Sequence, residues 1–204
     1  MIVVIDYNVG NVKSVRNALD YLGIEDELSA DPDRIAVADG IILPGVAAFG
    51  YAIQALGSTA EVVHHAVLNG KPLLGICVGY QLLFDHSCEL GEHDGLGLIG
   101  GQVVPIPKDQ TVPHMGWNSV HLPEGMDLFD GLRSEEHFYF AHSFHARIED
   151  PQARIALTDY GRPMSAAVQK GNIYGVQFHP EKSGPVGMRV LWNFEAICRR
   201  AAKC

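Results

Sequence analysis

Apolar residues in the first half of this chain fall at two spacings. Ile2–Ile5, Ile41–Leu43 and Leu73–Ile76 are short, mostly apolar runs of the kind that form strands buried on both faces. Val12–Leu22 and Ala60–Leu68 lie between these runs and carry apolar residues three and four positions apart, which predicts helices. Strands that alternate with helices in this order predict a parallel sheet covered by helices on both faces.

The second half of the chain has a different pattern, in which short apolar segments are separated by turn residues. These segments predict strands, many of them antiparallel, at Leu98–Ile106, Ser119–Leu122, Phe138–His142, Ile155–Thr158, Ala166–Gln169 and Ile173–Phe178. A last helix is predicted over Val186–Arg199. We therefore expect an α/β fold, with a mostly parallel sheet flanked by helices and an antiparallel second half. Nothing resembling a linker divides the 204 residues, so a single domain over 1–204 is expected.

The segment Gly75–Gly79 joins a predicted buried strand to a predicted helix, Tyr80–Asp85, and has Cys77 at its centre. Small residues two positions before and after a nucleophile are typical of a nucleophile elbow, here with Cys in place of Ser. The start of a helix favours a thiolate, and the N–H of Val78 would face an oxyanion formed at the attacked carbonyl. The alternative is a buried structural cysteine in a glycine-containing turn.

A second candidate segment follows the predicted strand Tyr174–Phe178 and begins with His179-Pro180-Glu181. A catalytic thiolate needs an imidazole to exchange its proton, and the imidazole needs a carboxylate to hold its tautomer. His179 and Glu181 are two residues apart, so in extended backbone their side chains leave on the same side. Sites in doubly wound sheets gather at the carboxyl ends of strands, where both segments lie. The alternative is a solvated strand end.

A third candidate is the glycine-containing loop after the apolar strand Gly40–Leu43. The loop begins Pro44-Gly45-Val46-Ala47, and a backbone N–H there would complement that of Val78 at an oxyanion. The alternative is an ordinary turn between a strand and a helix.

The Gly-x-Cys-x-Gly-x-Gln sequence and the later His-Pro-Glu resemble the class I, or triad, glutamine amidotransferases. Within that group the chain is most similar to the glutaminase subunits of imidazole glycerol phosphate synthases, which act in histidine biosynthesis. The resemblance extends over essentially the whole chain. It is carried by Asp6–Asn11, Pro44–Val46, Pro113–Asn118, Phe138–Ser143 and Gly175–Gly184.

The resemblance implies a role for each matching residue. Cys77 is expected to be the nucleophile, His179 the general acid and base, and Glu181 the group that orients His179. The expected oxyanion groups are those of Val78, Val46 and Ala47, and the expected glutamine-binding residues are Gly45, Gln81, Ser143 and Phe144. Two positions depart from the family: Ala47 stands where Gly is usual, and Phe144 stands where Tyr is common.

A single glutaminase site has no use for its ammonia, so a separate acceptor subunit is expected. The resemblance identifies this partner as the cyclase subunit of imidazole glycerol phosphate synthase, a (β/α)8 barrel, in a heterodimer. The expected interface residues are Asn8, Asn11, His114, Met115, Trp117, Asn118, Tyr139 and Lys182. For Met115 and Trp117 the alternative is burial inside a hairpin. Alternative functions are the glutaminase subunit of another triad amidotransferase, such as the one that feeds anthranilate synthesis, or a non-catalytic regulatory partner.

Composition restricts the remaining possibilities. The net charge of −9, without any basic run, argues against a nucleic-acid partner. No apolar run approaches eighteen residues, so no membrane association is expected. The cysteines have no framework spacing and are expected to be thiols of a reducing cytoplasm. The group His86, Cys88, Glu92, His93 and Asp94 is too loosely spaced to predict a metal site, and no cofactor is expected.

Overall fold

Two sheets organise the chain in the computed structural model, which describes residues 1–203. The apolar runs of the first half form central strands whose residues are buried on both faces. The strands are β1 (Ile2–Ile5), β2 (Asp26–Ser29), β3 (Gly40–Gly45), β4 (Leu73–Cys77), β5 (Phe84–Ser87), β6 (His93–Asp94), β7 (Ile99–Pro105), β8 (His114–His121), β9 (Glu135–His142), β10 (Phe144–Ile148), β11 (Arg154–Asp159), β12 (Pro163–Lys170) and β13 (Ile173–Val176).

The helices alternate with the early strands and return once at the end of the chain. They are α1 (Val12–Tyr21), α2 (Pro32–Val37), α3 (Phe49–Leu56), α4 (Thr59–Leu68), α5 (Val78–Gln81) and α6 (Gly184–Ala201). Each longer helix turns apolar residues toward the sheet, as with Val15, Ala18 and Leu19 of α1. None of the helices described within residues 1–203 is long and apolar enough to cross a membrane.

The larger sheet has the strand order β2-β1-β3-β4-β13-β12-β11-β8-β9. Its first part, from β2 to β13, is parallel, and from β13 onward each neighbouring pair is antiparallel. The register places Gly45 opposite Cys77 and Val176 opposite Ile76. The carboxyl ends of β3, β4 and β13 therefore lie side by side, which brings together the three segments singled out in the sequence.

The second half of the chain confirms the predicted antiparallel character. Strand β9 alternates buried and more exposed residues, as expected for a sheet with one face on the core. A smaller sheet, β10-β7-β5-β6, packs beside the larger one and places Phe144, the first residue of β10, next to the elbow.

The prediction of a helix over Tyr80–Asp85 is wrong. Helix α5 ends at Gln81, and Phe84 begins a strand that pairs in parallel with Ile99 of β7. The carbonyl of Leu82 accepts the N–H of Leu96 at 2.8 Å. The apolar run that follows the elbow is buried against two sheets, and such a short run has no periodicity that separates helix from strand.

Other element predictions differ from the structure at the ends. The strand predicted to begin at Ser119 begins at His114, because β8 pairs with β9 along its whole length. Strands β2, β6 and β10 and helices α2 and α3 were not predicted. For β2 the reason is that Asp26–Ser29 is polar and only partly buried. The single domain over 1–204 stays a prediction, and Cys204 lies outside the described residues.

The glycines of the elbow are required by close backbone approach. A Cβ on Gly79 would overlap the carbonyl oxygen of Leu43 in β3, and one on Gly75 would lie 2.6 Å from the carbonyl oxygen of Gly79. Only glycine lets α5 begin this close to β3 and β4.

Candidate active site

Cys77 occupies the sharp turn from β4 into α5 with φ 56° and ψ −110°. A residue with a Cβ is rarely found at positive φ, and such strain is concentrated at functional sites. The side chain is nearly buried, at 3% exposure. The turn therefore holds the sulfur at the last residue of β4, directly before α5, as expected for a nucleophile elbow.

His179 follows β13 and pairs with Glu181. Its Nδ1 lies 2.9 Å from Glu181 Oε1, and both side chains are almost fully buried. Glu181 lies in a short 3₁₀ turn, Pro180–Lys182, rather than in the extended backbone that was expected, yet the two side chains still meet. The backbone of His179 is held by a 2.8 Å hydrogen bond from its N–H to the carbonyl of Tyr139, and its carbonyl accepts from Ser183 Oγ at 2.6 Å.

The charge state of His179 follows from its neighbours. Burial lowers the pKa of the ring, but hydrogen bonds to Cys77 and Glu181 and the negative charges on both outweigh it and raise the pKa to about 10. At neutral pH this raised pKa favours the imidazolium form of the ring, which lies between the Cys77 sulfur and the Glu181 carboxyl group. The second oxygen of Glu181, Oε2, is buried and has no hydrogen-bond partner among the described residues.

A cleft of about 370 Å³ opens above Cys77 and His179. Several residues predicted from the sequence line it, namely Val46, Ala47, Val78, Gln81, Ser143, Phe144, Met115 and Lys182. Gly45 lies beneath the cleft, in register with Cys77, where a Cβ would come within 2.8 Å of the Val78 Cβ. The cleft thus brings together the Cys77 thiol, the His179 ring and the backbone segments that follow β3 and β4.

Comparison with known proteins identifies the family. The profile of the family described as glutamine amidotransferase class-I matches residues 3–196. The chain belongs to the class-I glutamine amidotransferases. It is 51% identical over 201 residues to the imidazole glycerol phosphate synthase subunit HisH of Lacticaseibacillus casei (strain BL23), which covers 97% of this chain and 96% of that protein. Identity to the subunit of the same name from Methanothermobacter thermautotrophicus is 44% over 199 residues, covering 98% and 100%.

Solved structures share the fold. A structure titled glutamine amidotransferase superposes with a TM-score of 0.78 at 19% identity and covers 98% of this chain and 100% of that chain. The structure of PurLQS from Thermotoga maritima gives a TM-score of 0.76 at 21% identity, covering 96% and 97%. These likenesses confirm the predicted fold class, a class I glutamine amidotransferase-like α/β fold.

Ala47, where the chain departs from its family, has an ordinary backbone. Within residues 1–203 the non-glycine residues at positive φ are Asn8, Cys77 and Leu90. Ala47 therefore keeps a negative φ, and its side chain causes no strain in this conformation. Its neighbour Val46 is 53% exposed.

Phe144, the second departure, contributes its backbone. Its carbonyl accepts a hydrogen bond from Gln81 Nε2 at 2.9 Å. Because this contact does not involve the ring, the change from Tyr leaves it intact.

Two residues at the site, Glu89 and Gln177, had no role predicted from the sequence. Glu89 lines the cleft, and its Oε2 accepts the N–H of Phe49 at the start of α3 at 2.7 Å. Gln177 is fully buried and its Nε2 lies 3.9 Å from Cys77 Sγ. Glu89 lies in an irregular loop without a pattern, whereas Gln177 lies two positions before His179, and that proximity was the available signal.

The residues predicted at the partner interface divide into two groups. Met115 and Trp117 are 65% and 56% exposed, so burial inside a hairpin does not apply to them. Trp117 lies 6.2 Å from the ring of Tyr139, and the Lys182 ammonium lies 5.8 Å from that ring.

The second group consists of Asn8, Asn11, His114 and Asn118. Asn8 is exposed, and Asn11 is the N-cap residue directly before α1. His114 has a buried ring, and its part in the interface stays a prediction. Asn118 is partly buried, and its amide bonds to the Asp159 carbonyl.

Proposed function

We propose that this chain hydrolyses glutamine to glutamate and ammonia and supplies the ammonia to a cyclase subunit of imidazole glycerol phosphate synthase. The observation that carries the proposal is the strained Cys77 beside a protonated His179 that Glu181 holds, at the floor of a cleft. The family and the HisH relatives support the same conclusion.

The chemistry divides into two acyl transfers. The Cys77 thiolate attacks the side-chain amide carbon, and the C–N bond breaks as His179 gives its proton to the departing ammonia. This leaves a glutamyl thioester. Neutral His179 then takes a proton from water, the resulting hydroxide attacks the thioester, and glutamate leaves as the thiolate is restored. Glu181 holds Nδ1 throughout, so that Nε2 faces the sulfur.

The oxyanion is expected to form between two backbone segments. The N–H of Val78 lies at the start of α5, where free amide groups are available. The loop Val46–Ala47 lies across from it, because Gly45 is in register with Cys77. We assign the second donor to this loop.

The amino-acid end of glutamine needs its own contacts. The carboxylate of Glu89 lines the cleft and would accept from the α-ammonium group. Gln81, Ser143 and Phe144 form another wall. A cleft of about 370 Å³ suits a ligand of this size.

The partner is expected at the surface formed by Met115, Trp117, Tyr139 and Lys182, with Asn8 and Asn11 nearby. Aromatic residues and Met are enriched at protein interfaces. Met115 and Lys182 also line the cleft, so a subunit bound here would lie directly beside the site where ammonia is released.

The test is a glutaminase assay on the chain with and without a cyclase subunit and its ligand. We expect slow hydrolysis alone and a strong increase with the partner, because an uncoupled glutaminase would waste glutamine. A glutaminase subunit of anthranilate synthesis serves as the matched control and should not respond to the cyclase. Full-rate hydrolysis in isolation would contradict the coupling, and absence of hydrolysis in the complex would leave only a regulatory role.

A further inference from the structure

A series of buried and partly buried hydrogen bonds runs from strand β8 to the Cys77 sulfur. Each link joins a polar side chain to the next, or to one backbone carbonyl, over distances between 2.8 and 3.9 Å. Its members, in order, are Asn118, His114, His142, the carbonyl of Phe144, Gln81, Gln177 and Cys77. The direction of every link follows from the chemistry of its atoms.

The histidine tautomers are fixed by the Phe144 carbonyl. A carbonyl oxygen only accepts, so His142 Nδ1, 2.8 Å away, carries a proton. In a neutral ring Nε2 is then an acceptor, and His114 Nδ1, at 2.9 Å, must donate to it. The Nε2 atom of His114 is left to accept from the Asn118 amide at 3.3 Å. Both rings therefore carry their single proton on Nδ1.

Both rings are neutral because of where they lie. His114 stacks between Phe140 and Tyr160, with ring centroids 4.7 and 4.0 Å away. Burial lowers the pKa of His114 to about 4 and that of His142 to about 3. The positively charged ring of His179 nearby further disfavours a proton on His142.

The amide of Gln177 is oriented by the amide of Gln81. Gln81 Nε2 lies 2.9 Å from the Phe144 oxygen and 3.0 Å from Gln177 Oε1, so both of its hydrogens are used. The Gln177 oxygen must therefore face Gln81, which leaves its Nε2 facing the Cys77 sulfur. A flipped Gln177 would place two NH₂ groups against each other in the core.

We propose that Gln177 is a catalytic residue, because its amide N–H donates to the Cys77 sulfur. Gln81, His142 and His114 are positioning residues that keep this amide in one orientation. The sulfur also lies 3.9 Å from the Ala141 carbonyl oxygen, which accepts only from the protonated thiol. Gln177 thus favours the thiolate, which is the attacking species. The catalytic part of this inference rests on the glutaminase function proposed above.

The first experiment determines the histidine tautomers directly and does not depend on enzyme activity. Nitrogen-15 NMR of the histidine rings at neutral pH should show His114 and His142 protonated on Nδ1 and unprotonated on Nε2. This is the reverse of the tautomer that predominates in free neutral histidine. The exposed ring of His121 is the internal reference. A proton on Nε2 of either buried ring would overturn the assigned direction.

The second experiment separates the Gln177 amide from its bulk. Gln177→Met preserves the shape and removes the N–H, so alkylation of Cys77 by iodoacetamide should slow about ten-fold, and kcat should fall similarly. The matched control is Gln169→Met on β12. Gln169 Oε1 accepts the N–H of Asp127, so this change removes a hydrogen bond on another part of the sheet. Alkylation of Cys77 is read by mass spectrometry of its peptide. An unchanged rate in folded Gln177→Met would reject the role.

The third experiment uses two amides at His142. His142→Asn retains a donor near the Nδ1 position, whereas His142→Gln retains an acceptor near the Nε2 position and loses the donor to Phe144. We expect Cys77 alkylation and kcat to fall by up to about ten-fold in His142→Gln and two- to three-fold in His142→Asn, with the KM for glutamine changed less. Equal effects of the two changes would reject the positioning role.

Failure of this inference and failure of the proposed function have different signatures. A wild-type chain without glutaminase activity in the complex would reject the function, whereas the tautomers and the alkylation rate still test the hydrogen-bond chain. An active wild type with normal Gln177→Met and His142→Gln variants would reject the chain and leave the function standing.

Discussion

At the scale of single residues, the site depends on a difference between two similar thiols. Cys77 and Cys198 are both buried, yet only Cys77 lies at a helix start beside a histidine. Burial, together with Glu195 and Asp39, raises the pKa of the Cys198 thiol to about 12, so it stays protonated. The two thiols therefore differ in their surroundings, and we expect only Cys77 to be reactive.

A glutamine-mimicking electrophile should therefore label Cys77 alone. Cys88 is exposed but lacks the elbow, and Cys198 is buried and protonated. Cys77→Ala should abolish turnover while the thermal unfolding of the protein remains cooperative. Peptide mass spectrometry after labelling is the measurement, and label found mainly on Cys88, Cys198 or Cys204 would contradict the assignment.

Replacement of His179 should cost more activity than replacement of Glu181. His179→Ala removes the group that moves the proton, so kcat should fall by about 10³. Glu181→Gln retains an oxygen for the Nδ1–H and loses only the charge, so part of the activity should survive. Steady-state kinetics measures both, with the exposed His121→Ala as control. Near-normal turnover in His179→Ala would make the assigned roles wrong.

At the scale of elements, the apolar pattern predicted most of the structure that positions the site. Strands β1, β3, β4 and β13 were found because burial on both faces leaves almost no polar residue in them. The run after the elbow was misassigned, because a short segment buried on all sides looks the same in a helix and in a strand. Strand β2 was missed because its residues are polar and only partly buried, so no apolar run marks it.

The candidate site, like the elements, could be predicted from the sequence only in part. That Cys77, His179 and Glu181 lie close together was predictable, because they follow neighbouring strand ends marked by glycine or proline. The burial of the His114 ring was not, since it depends on the rings of Phe140 and Tyr160 that only the folded sheet brings together. Likewise Glu89 reaches the cleft from an irregular loop, and the spacing of apolar residues does not predict the path of that loop.

The loop after β3 gives a prediction about Ala47. If the Val46–Ala47 peptide must turn toward the oxyanion, residue 47 has to visit positive φ during the reaction. Ala is disfavoured there by about 1 kcal/mol relative to Gly, or roughly five-fold in rate if it appears in the barrier. Ala47 has no such strain at rest. Ala47→Gly should therefore raise turnover, most visibly without the cyclase ligand, and should not stabilise the fold.

Steady-state kinetics of Ala47→Gly, together with its unfolding by urea, decides the matter. Ala48→Gly is the matched control, one residue further along the same loop. An unchanged or lower turnover in a folded Ala47→Gly protein would mean that residue 47 keeps a negative φ throughout catalysis.

At the scale of the whole molecule, the buried histidines link stability to pH. His114 and His142 have pKa values of about 4 and about 3 in the folded protein, against about 6.5 in an unfolded chain. The unfolded state therefore binds protons first as the pH falls below 6.5. Unfolding becomes easier by up to about 1.4 kcal/mol per pH unit for each ring. His145, whose pKa burial also lowers, adds in the same direction.

The opposite shift of His179 does not cancel this slope. Its pKa is raised to about 10 in the folded protein, so its contribution is complete below pH 6.5 and is lost only as the pH rises toward 10. Carboxylates with lowered pKa values, such as Glu136 and Asp150, lose their contribution only near and below their ordinary values of about 4. Between pH 6.5 and 4.5, the dependence of stability on pH therefore comes from the buried neutral rings.

We expect the free energy of unfolding, measured with urea at half-unit steps, to fall steadily from pH 6.5 to 4.5. His142→Asn removes one titrating ring and should flatten the slope by up to about 1.4 kcal/mol per pH unit, whatever its effect on stability at pH 7. The exposed His121→Asn is the control and should retain the wild-type slope. A wild-type stability that does not change across this window would mean that the rings take up protons inside the folded protein, and the fixed Nδ1–H tautomers would then lose their basis.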